Sequence, residues 1–115
     1  MKANLIDNID KLIKGTISGK IMWTKPGENA FVWQTTNSDK SRLNVILQGH
    51  RLSGNQVVDI SFRLYELETK SSLIDVKTED TSREIKSKLF ELFQIIKDNF
   101  DTGRIDILSD LLKDI

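Results

Sequence analysis

The feature that most constrains the fold is a two-residue turn signal, Gly54-Asn55, which lies between two segments of alternating apolar residues. Both residues tolerate a positive φ, so the pair favours a two-residue β-hairpin loop. Such a loop pairs Ser53 with Gln56 and places Leu47 opposite Phe62. A shift of one residue would bring amide and acidic side chains onto the apolar face. Turn chemistry and hydrophobic pattern therefore predict the same register.

The predicted hairpin collects its apolar side chains on one face of a sheet. They are Leu43, Val45, Leu47, Val58, Ile60, Phe62 and Leu64. Loops near Pro26-Gly27-Glu28, Ser38-Asp39-Lys40 and Glu68-Thr69-Lys70 let the neighbouring segments extend this face. The result is an antiparallel meander with strands at 17–24, 29–36, 42–52, 56–67 and 72–78. In the first strand Trp23 points toward the core, whereas a tighter Pro26-Gly27 loop would turn Met22 inward instead.

Helical spacing marks the segments on both sides of the meander. In the first, Asn4 is the predicted N-cap and Gly15 the predicted end. The sequence Thr81-Ser82-Arg83-Glu84 is typical of a capping box and predicts a second helix. A third helix is expected after Asp101-Thr102-Gly103. The apolar positions assigned to the core are Leu5, Ile6, Ile9, Leu12 and Ile13, then Ile85, Leu89, Leu92, Phe93, Ile96 and Phe100, then Ile105, Leu108, Leu111, Leu112 and Ile115.

These elements predict a single α+β domain over residues 1–115. In it, an N-terminal helix and two C-terminal helices pack on one face of the five-stranded antiparallel meander, which makes a two-layer sandwich. The first residues lack the pattern of a signal peptide, and no window reaches the roughly 18 consecutive apolar residues of a membrane span. The expected location is therefore the cytoplasm, with no membrane partner.

Composition and motifs exclude several classes of function. The chain has no cysteine, so disulfides, thiolate metal sites and Cys nucleophiles are excluded. Its 17 basic and 17 acidic residues cancel, which argues against a nucleic-acid partner bound through bulk positive charge. The sequence contains no calcium loop, zinc-protease, nucleotide-phosphate or dinucleotide pattern. We therefore predict no metal site and no cofactor.

One arrangement resembles the parts of a catalytic triad. The only histidine, His50, falls opposite Asp59 in the predicted register, and Ser61 lies one step along the same face. An open sheet face supplies neither a water-excluding cleft nor an oxyanion hole. We interpret the three as cross-strand neighbours and predict that the protein is not an enzyme.

The face of the sheet turned away from the helices has an unusual composition. It combines aliphatic, amide, Arg and Tyr side chains with little Lys or Glu, and Leu52 and Val57 are expected to pair at its far end. Protein interfaces favour such a mixture. The predicted partner-binding residues are Val32, Asn44, Ile46, Gln48, Arg63 and Tyr65. The chain is therefore predicted to be a protein-binding module, namely an adaptor, an inhibitor or an assembly subunit, with a protein partner or a second copy on this face.

Two alternatives use other residues. A small-ligand or nucleotide sensor would have a pocket between sheet and helices near Trp23, Trp33 and Phe93, provided that polar groups converge on it. A single-stranded nucleic-acid-binding module would use arginines of the strands and the exposed tyrosine, and its affinity would fall steeply with salt. Its residues are Arg42, Arg51, Arg63 and Tyr65.

Overall fold

The computed structural model describes residues 4–54 and 56–115, with residues 51 and 52 described by their backbone only. A helix precedes a five-stranded antiparallel sheet, a short 3-10 turn follows the last strand, and a long helix ends the chain. The elements are α1 (Leu5–Ile17), β1 (Thr24–Gly27), β2 (Ala30–Thr36), β3 (Arg42–Ser53), β4 (Gln56–Glu66), β5 (Ser71–Lys77), the 3-10 turn (Thr78–Asp80) and α2 (Arg83–Leu112).

The sheet is a meander in which each strand pairs with the next, in the order β1-β2-β3-β4-β5. The predicted register of the central hairpin is confirmed, because Ser53 pairs with Gln56 and Leu47 with Phe62. Gly54 has φ +63°, the left-handed conformation that this turn requires. Asn55, the other predicted turn residue, lies outside the described residues.

The first strand differs from its prediction of residues 17–24. Pro26 and Gly27 belong to β1, which begins only at Thr24, and Gly27 pairs with Ala30 across a two-residue turn. Proline is compatible with this position because β1 is an edge strand. The direction of the side chains was predicted correctly, since Trp23 is buried and Met22 is exposed.

Helix α1 begins as the sequence predicts but ends later. The Asn4 side chain accepts a hydrogen bond from the backbone N–H of Ile6 at 2.8 Å. Gly15 does not end the helix, which continues to Ile17. A Cβ on Gly15 would lie 2.6 Å from Ile21 Cδ1, so the glycine allows the returning chain to pack against the helix. The positive φ lies four residues later, at Gly19 (φ +79°).

The core lies between the two helices and one face of the sheet. Its strand residues alternate along β2, β3 and β4, as expected for a sheet that buries one face. The buried apolar side chains are Ile9, Ile13, Trp23, Phe31, Val45, Leu47, Ile60, Phe62, Leu89, Leu92, Phe93 and Ile96. Hydrophobic burial thus joins both helices to the sheet.

The C-terminal segment forms one helix rather than the two that the sequence predicted. Helix α2 runs without interruption from Arg83 to Leu112, through Asp101-Thr102-Gly103. A glycine weakens a helix by only about 1 kcal/mol, whereas a proline removes a donor and ends it, and this segment contains no proline. The Ser82 side chain caps the helix by accepting from the N–H of Ile85 at 3.3 Å.

Candidate partner-binding surfaces

The face of the sheet opposite the helices presents its side chains in cross-strand rows. The central row joins Val32, Ile46, Arg63 and Asp75 across four strands. A second row places Asn44 between Gln34 and Tyr65. The third places Gln48 between Ala30 and Ser61. All six predicted partner-binding residues therefore lie on one side of the sheet, next to one another.

Of these six residues, only Gln48 is exposed and the other five are half-buried by their neighbours. At the far end of the face Leu52 pairs with Val57, as predicted, but the Val57 side chain does not lie on this face. Val57 packs on the core side, where it lines a cleft with Phe93. A Cβ on Gly49 would lie 2.7 Å from Val57 Cγ1, so the missing side chain leaves room that Val57 occupies. The side chain of its predicted neighbour Leu52 lies outside the described residues.

Polar groups on this face have few partners. Arg63 Nε lies 4.0 Å from Asp75 Oδ2, which is longer than the roughly 2.7–2.9 Å of a charge-assisted hydrogen bond. Among the described residues, Arg63 Nε and Asn44 Oδ1 make no hydrogen bond. Nε of Arg63 is thus a buried donor, whereas the arginine side chain as a whole is 41% exposed.

In the triad-like group, Asp59 and Ser61 are buried and His50 is partly buried. His50 pairs with Asp59 in the sheet, as predicted. The hydroxyl of Thr78 donates to Asp59 Oδ1 at 3.4 Å and accepts from the N–H of Ile60 at 2.9 Å. His50 Nε2 is buried and makes no hydrogen bond to any other described residue. Thr78 uses these bonds to hold the end of β5 against β4.

The three aromatic residues of the ligand-pocket hypothesis line three different clefts. Trp23 contributes to a groove beside the end of α1, Trp33 to a cleft between α1 and the sheet, and Phe93 to the cleft that also contains Val57. The Trp23 indole donates to Thr16 Oγ1 at 2.9 Å, so its only polar atom is used within the protein. The structure does not bring these residues into one cavity.

The arginines of the nucleic-acid hypothesis face acidic side chains. Arg42 Nε donates to Glu68 Oε1 at 3.0 Å, and this hydrogen bond lowers the pKa of the Glu68 carboxyl below its ordinary value. Arg63 lies beside Asp75, as described above. The side chain of Arg51 lies outside the described residues. The positive charges of Arg42 and Arg63 are therefore at least partly neutralised by acidic side chains of the same chain.

The largest exposed apolar surface lies elsewhere, on residues 104–115, which we call the α2 tail. Its six isoleucine and leucine side chains are each at least half exposed. They are Ile105, Ile107, Leu108, Leu111, Leu112 and Ile115. The sequence assigned all of these except Ile107 to the core, so the prediction was wrong for five residues.

The length of α2 explains their exposure. The buried residues of the helix end at Ile96, whereas the helix continues to Leu112. At about 100° per residue, Ile107 and Leu111 point in the same directions as the buried Leu89 and Phe93, yet both are exposed. A helix interrupted at Gly103 could have turned this segment back onto the sheet, but α2 continues past the body instead.

Among the described residues, no group of three His, Asp or Glu side chains is placed to hold a metal ion. In the same part of the chain, no helix combines the length and apolar character needed to cross a membrane. Comparison with protein families, curated proteins and solved structures yields no match for this chain.

Proposed function

We propose that the protein is a small non-enzymatic protein-binding module, an adaptor, inhibitor or assembly subunit, that contacts its partner through the sheet face opposite the helices. The observation that carries this proposal is the row formed by Val32, Ile46 and Arg63. It places Ile46 between Val32 and an arginine whose Nε makes no hydrogen bond within the described part of the chain. Interfaces are enriched in arginine and depleted in lysine and glutamate at their centres.

The chemistry of the row defines the partner that would fit. The aliphatic pair offers a small apolar patch, and the adjacent guanidinium can bind a carboxylate through two donors. Tyr65 and Asn44 extend the surface on one side and Gln48 on the other. A complementary partner therefore presents an apolar side chain next to an aspartate or glutamate.

Site-specific photo-crosslinking tests this proposal in extracts of the source cells. A photoreactive amino acid at Gln48 reports on the proposed face, and one at Lys86, exposed on α2, is the control. We expect one protein to be captured from Gln48 and not from Lys86. Equal capture at both positions would contradict a specific surface.

The captured protein is then purified and its affinity for variants is measured. Ile46→Glu introduces a charge at the centre of the row, and we expect affinity to fall about tenfold or more. The matched control is Ile17→Glu, the same exchange at an exposed isoleucine of α1. Equal affinities of the two variants would refute the proposed site, provided that both keep the native circular dichroism spectrum.

A further inference from the structure

The groove beside the end of α1 has the size and lining of a small-molecule site. Its volume is about 340 Å³, and the sites that bind small molecules begin at about 300 Å³. The buried side chains of Trp23 and Ile96 lie at its base, and the exposed Met22 and Ile107 line its outer part. The groove can therefore bury an apolar chain.

The side-chain donors at the base of the groove are used within the protein. The Trp23 indole donates to the Thr16 hydroxyl at 2.9 Å, and this hydroxyl donates to the carbonyl oxygen of Leu12 at 2.7 Å. A molecule that enters the groove gains no hydrogen bond from these two donors. Binding at the base thus depends on apolar contact, which favours hydrocarbon over a polar group.

Two glycines keep the groove open. Gly19, which follows α1, and Gly103, within α2, both line it. No atom lies within 4 Å of a Cβ built on either residue. At Gly103 the backbone is helical and has no positive φ, so it would accept a larger residue. The space beside Gly103 therefore results from a missing side chain and can be filled by substitution.

The exposed polar side chains that line the groove belong to α2. Among the described residues, Arg104 is the only charged one in the lining, and Asn99 contributes an amide. Neither side chain makes a hydrogen bond or an ion pair within the described part of the chain. A guanidinium binds a carboxylate through two parallel donors. The groove thus combines an apolar base with a cation that is available for an anionic group.

We propose that this groove binds a small monocarboxylate with an apolar chain, of the size of a medium-chain fatty acid. The chain lies against Trp23 and Ile96, and the carboxylate accepts hydrogen bonds from Arg104 and Asn99. A volume near the lower limit for small-molecule sites fits such a molecule better than a helix or strand of a partner protein. The groove lies on the helix side of the sheet, away from the proposed partner-binding face, so the two proposals can fail separately.

Nuclear magnetic resonance titration of the full chain tests the proposal with three probes of equal chain length, namely octanoate, 1-octanol and octylammonium. We expect octanoate to bind saturably, with a dissociation constant of about 1 mM or lower, and to shift the amide resonances of Gly103 and Ile107. Octanol should bind at least about threefold more weakly, and octylammonium more weakly still, because Arg104 is exposed and attracts only the anion. Equal affinities of the three probes, or no saturable binding, would overturn the proposal.

The role of the cation is tested by Arg104→Gln. This variant should bind octanoate at least about threefold more weakly and octanol as before. Arg83→Gln is the matched control, because Arg83 is an exposed arginine in the first turn of the same helix. Equal losses of octanoate affinity in the two variants would refute a contact with Arg104. Since both side chains are exposed, unchanged melting temperatures show that the variants fold.

The position of the chain is tested by Gly103→Leu, which narrows the groove. We expect this variant to bind octanoate and octanol at least about tenfold more weakly, without a lower melting temperature, because leucine favours a helix. The control is Thr102→Leu at the exposed neighbouring position, which does not line the groove. Undiminished binding by Gly103→Leu would overturn the proposed site. Tighter binding of the amidated peptide acetyl-leucyl-glutamate than of octanoate would assign the groove to a protein partner and also overturn it.

Discussion

Helix α2 contains two regions with similar apolar content and opposite surroundings. From Arg83 to Phe100 its leucine, isoleucine and phenylalanine side chains pack against α1 and the sheet. From residue 101 onward the same residue types are exposed. The comparison shows that an amphipathic pattern predicts a helix and the side on which its apolar residues lie. Whether those residues are buried depends on whether another element of the fold packs against that side.

The difference begins at Asp101-Thr102-Gly103. In the part of α2 that precedes these residues, the apolar side of the helix packs against the apolar face of the sheet. The tail continues beyond Ile96, the last buried residue of α2, and its aliphatic side chains are exposed even where they point in the direction of the buried stripe. Three pairs of substitutions test the contrast, from the largest expected effect to the smallest.

The largest effect is expected for alanine at a buried position of the body half. Ile96 is fully buried, and Ile96→Ala should lower the free energy of unfolding by about 2–5 kcal/mol because it leaves a cavity. Leu111→Ala, in the tail, should change it by no more than about 0.5 kcal/mol. Urea unfolding measures both free energies. Comparable losses would show that the tail is buried against the body.

The next effect concerns two glycines that differ in the space around them. A Cβ at Gly49 would lie 2.7 Å from Val57 Cγ1 and 3.3 Å from Phe93 Cζ. Gly49→Ala is therefore expected to overpack the contact between β3 and α2, at a cost of about 1–3 kcal/mol in unfolding free energy. An unchanged free energy of unfolding would contradict this prediction and would mean that Val57 moves aside at no energetic cost.

Gly103→Ala is expected to have the opposite sign. No atom lies within 4 Å of a Cβ at Gly103, and the residue is helical without a positive φ. Alanine should raise the helix content and stabilise the protein by about 0.5–1 kcal/mol, because it loses less backbone entropy in a helix. Circular dichroism and thermal unfolding detect this gain. Destabilisation instead would indicate that the helix is broken here, as the sequence first indicated.

The smallest effect is expected for the lysines of the two regions. Lys88 Nζ lies 2.7 Å from Asp10 Oδ1 of α1, and this hydrogen bond raises the pKa of Lys88. The contribution of this ion pair to stability is thus complete below the ordinary pKa of lysine. It is lost as the pH rises through the raised pKa of Lys88. Lys88→Met should lower the melting temperature slightly, and less in high salt.

Lys113 supplies the control for that comparison. It pairs with Asp110 at 3.2 Å within the tail, where both side chains are well exposed. Lys113→Met should leave the melting temperature of the body unchanged. An equal decrease in melting temperature for both variants would contradict this prediction. It would mean that a salt bridge between two helices stabilises the protein no more than one within a single helix.

Much of the sheet could be predicted from the sequence because two independent signals agreed. Gly54 requires a turn, and the alternation that ends at Leu64 permits only one register around it. Where one signal stood alone, the prediction was less accurate. Gly15 resembles a helix end but provides space for Ile21, and Gly103 resembles a break but is tolerated within a helix. Glycine can serve either purpose, and the neighbouring atoms that decide between them are distant in sequence.

The candidate surfaces divide in the same way. The sheet residues around Ile46 were placed correctly because pleating alternates side chains strictly between two faces. The tail was missed because its exposure depends on the continuity of α2 through one residue, Gly103.

The hydrogen bond from the Trp23 indole to Thr16 has a practical consequence for spectroscopy. It fixes one of the two tryptophans of the chain in the wall of the groove beside Ile107, while Trp33 lies 6.5 Å from it, ring to ring. With Trp33 replaced by phenylalanine, the emission of Trp23 becomes a built-in optical sensor. Any molecule that enters the groove displaces water next to this ring and shifts its fluorescence, without a label attached to the protein.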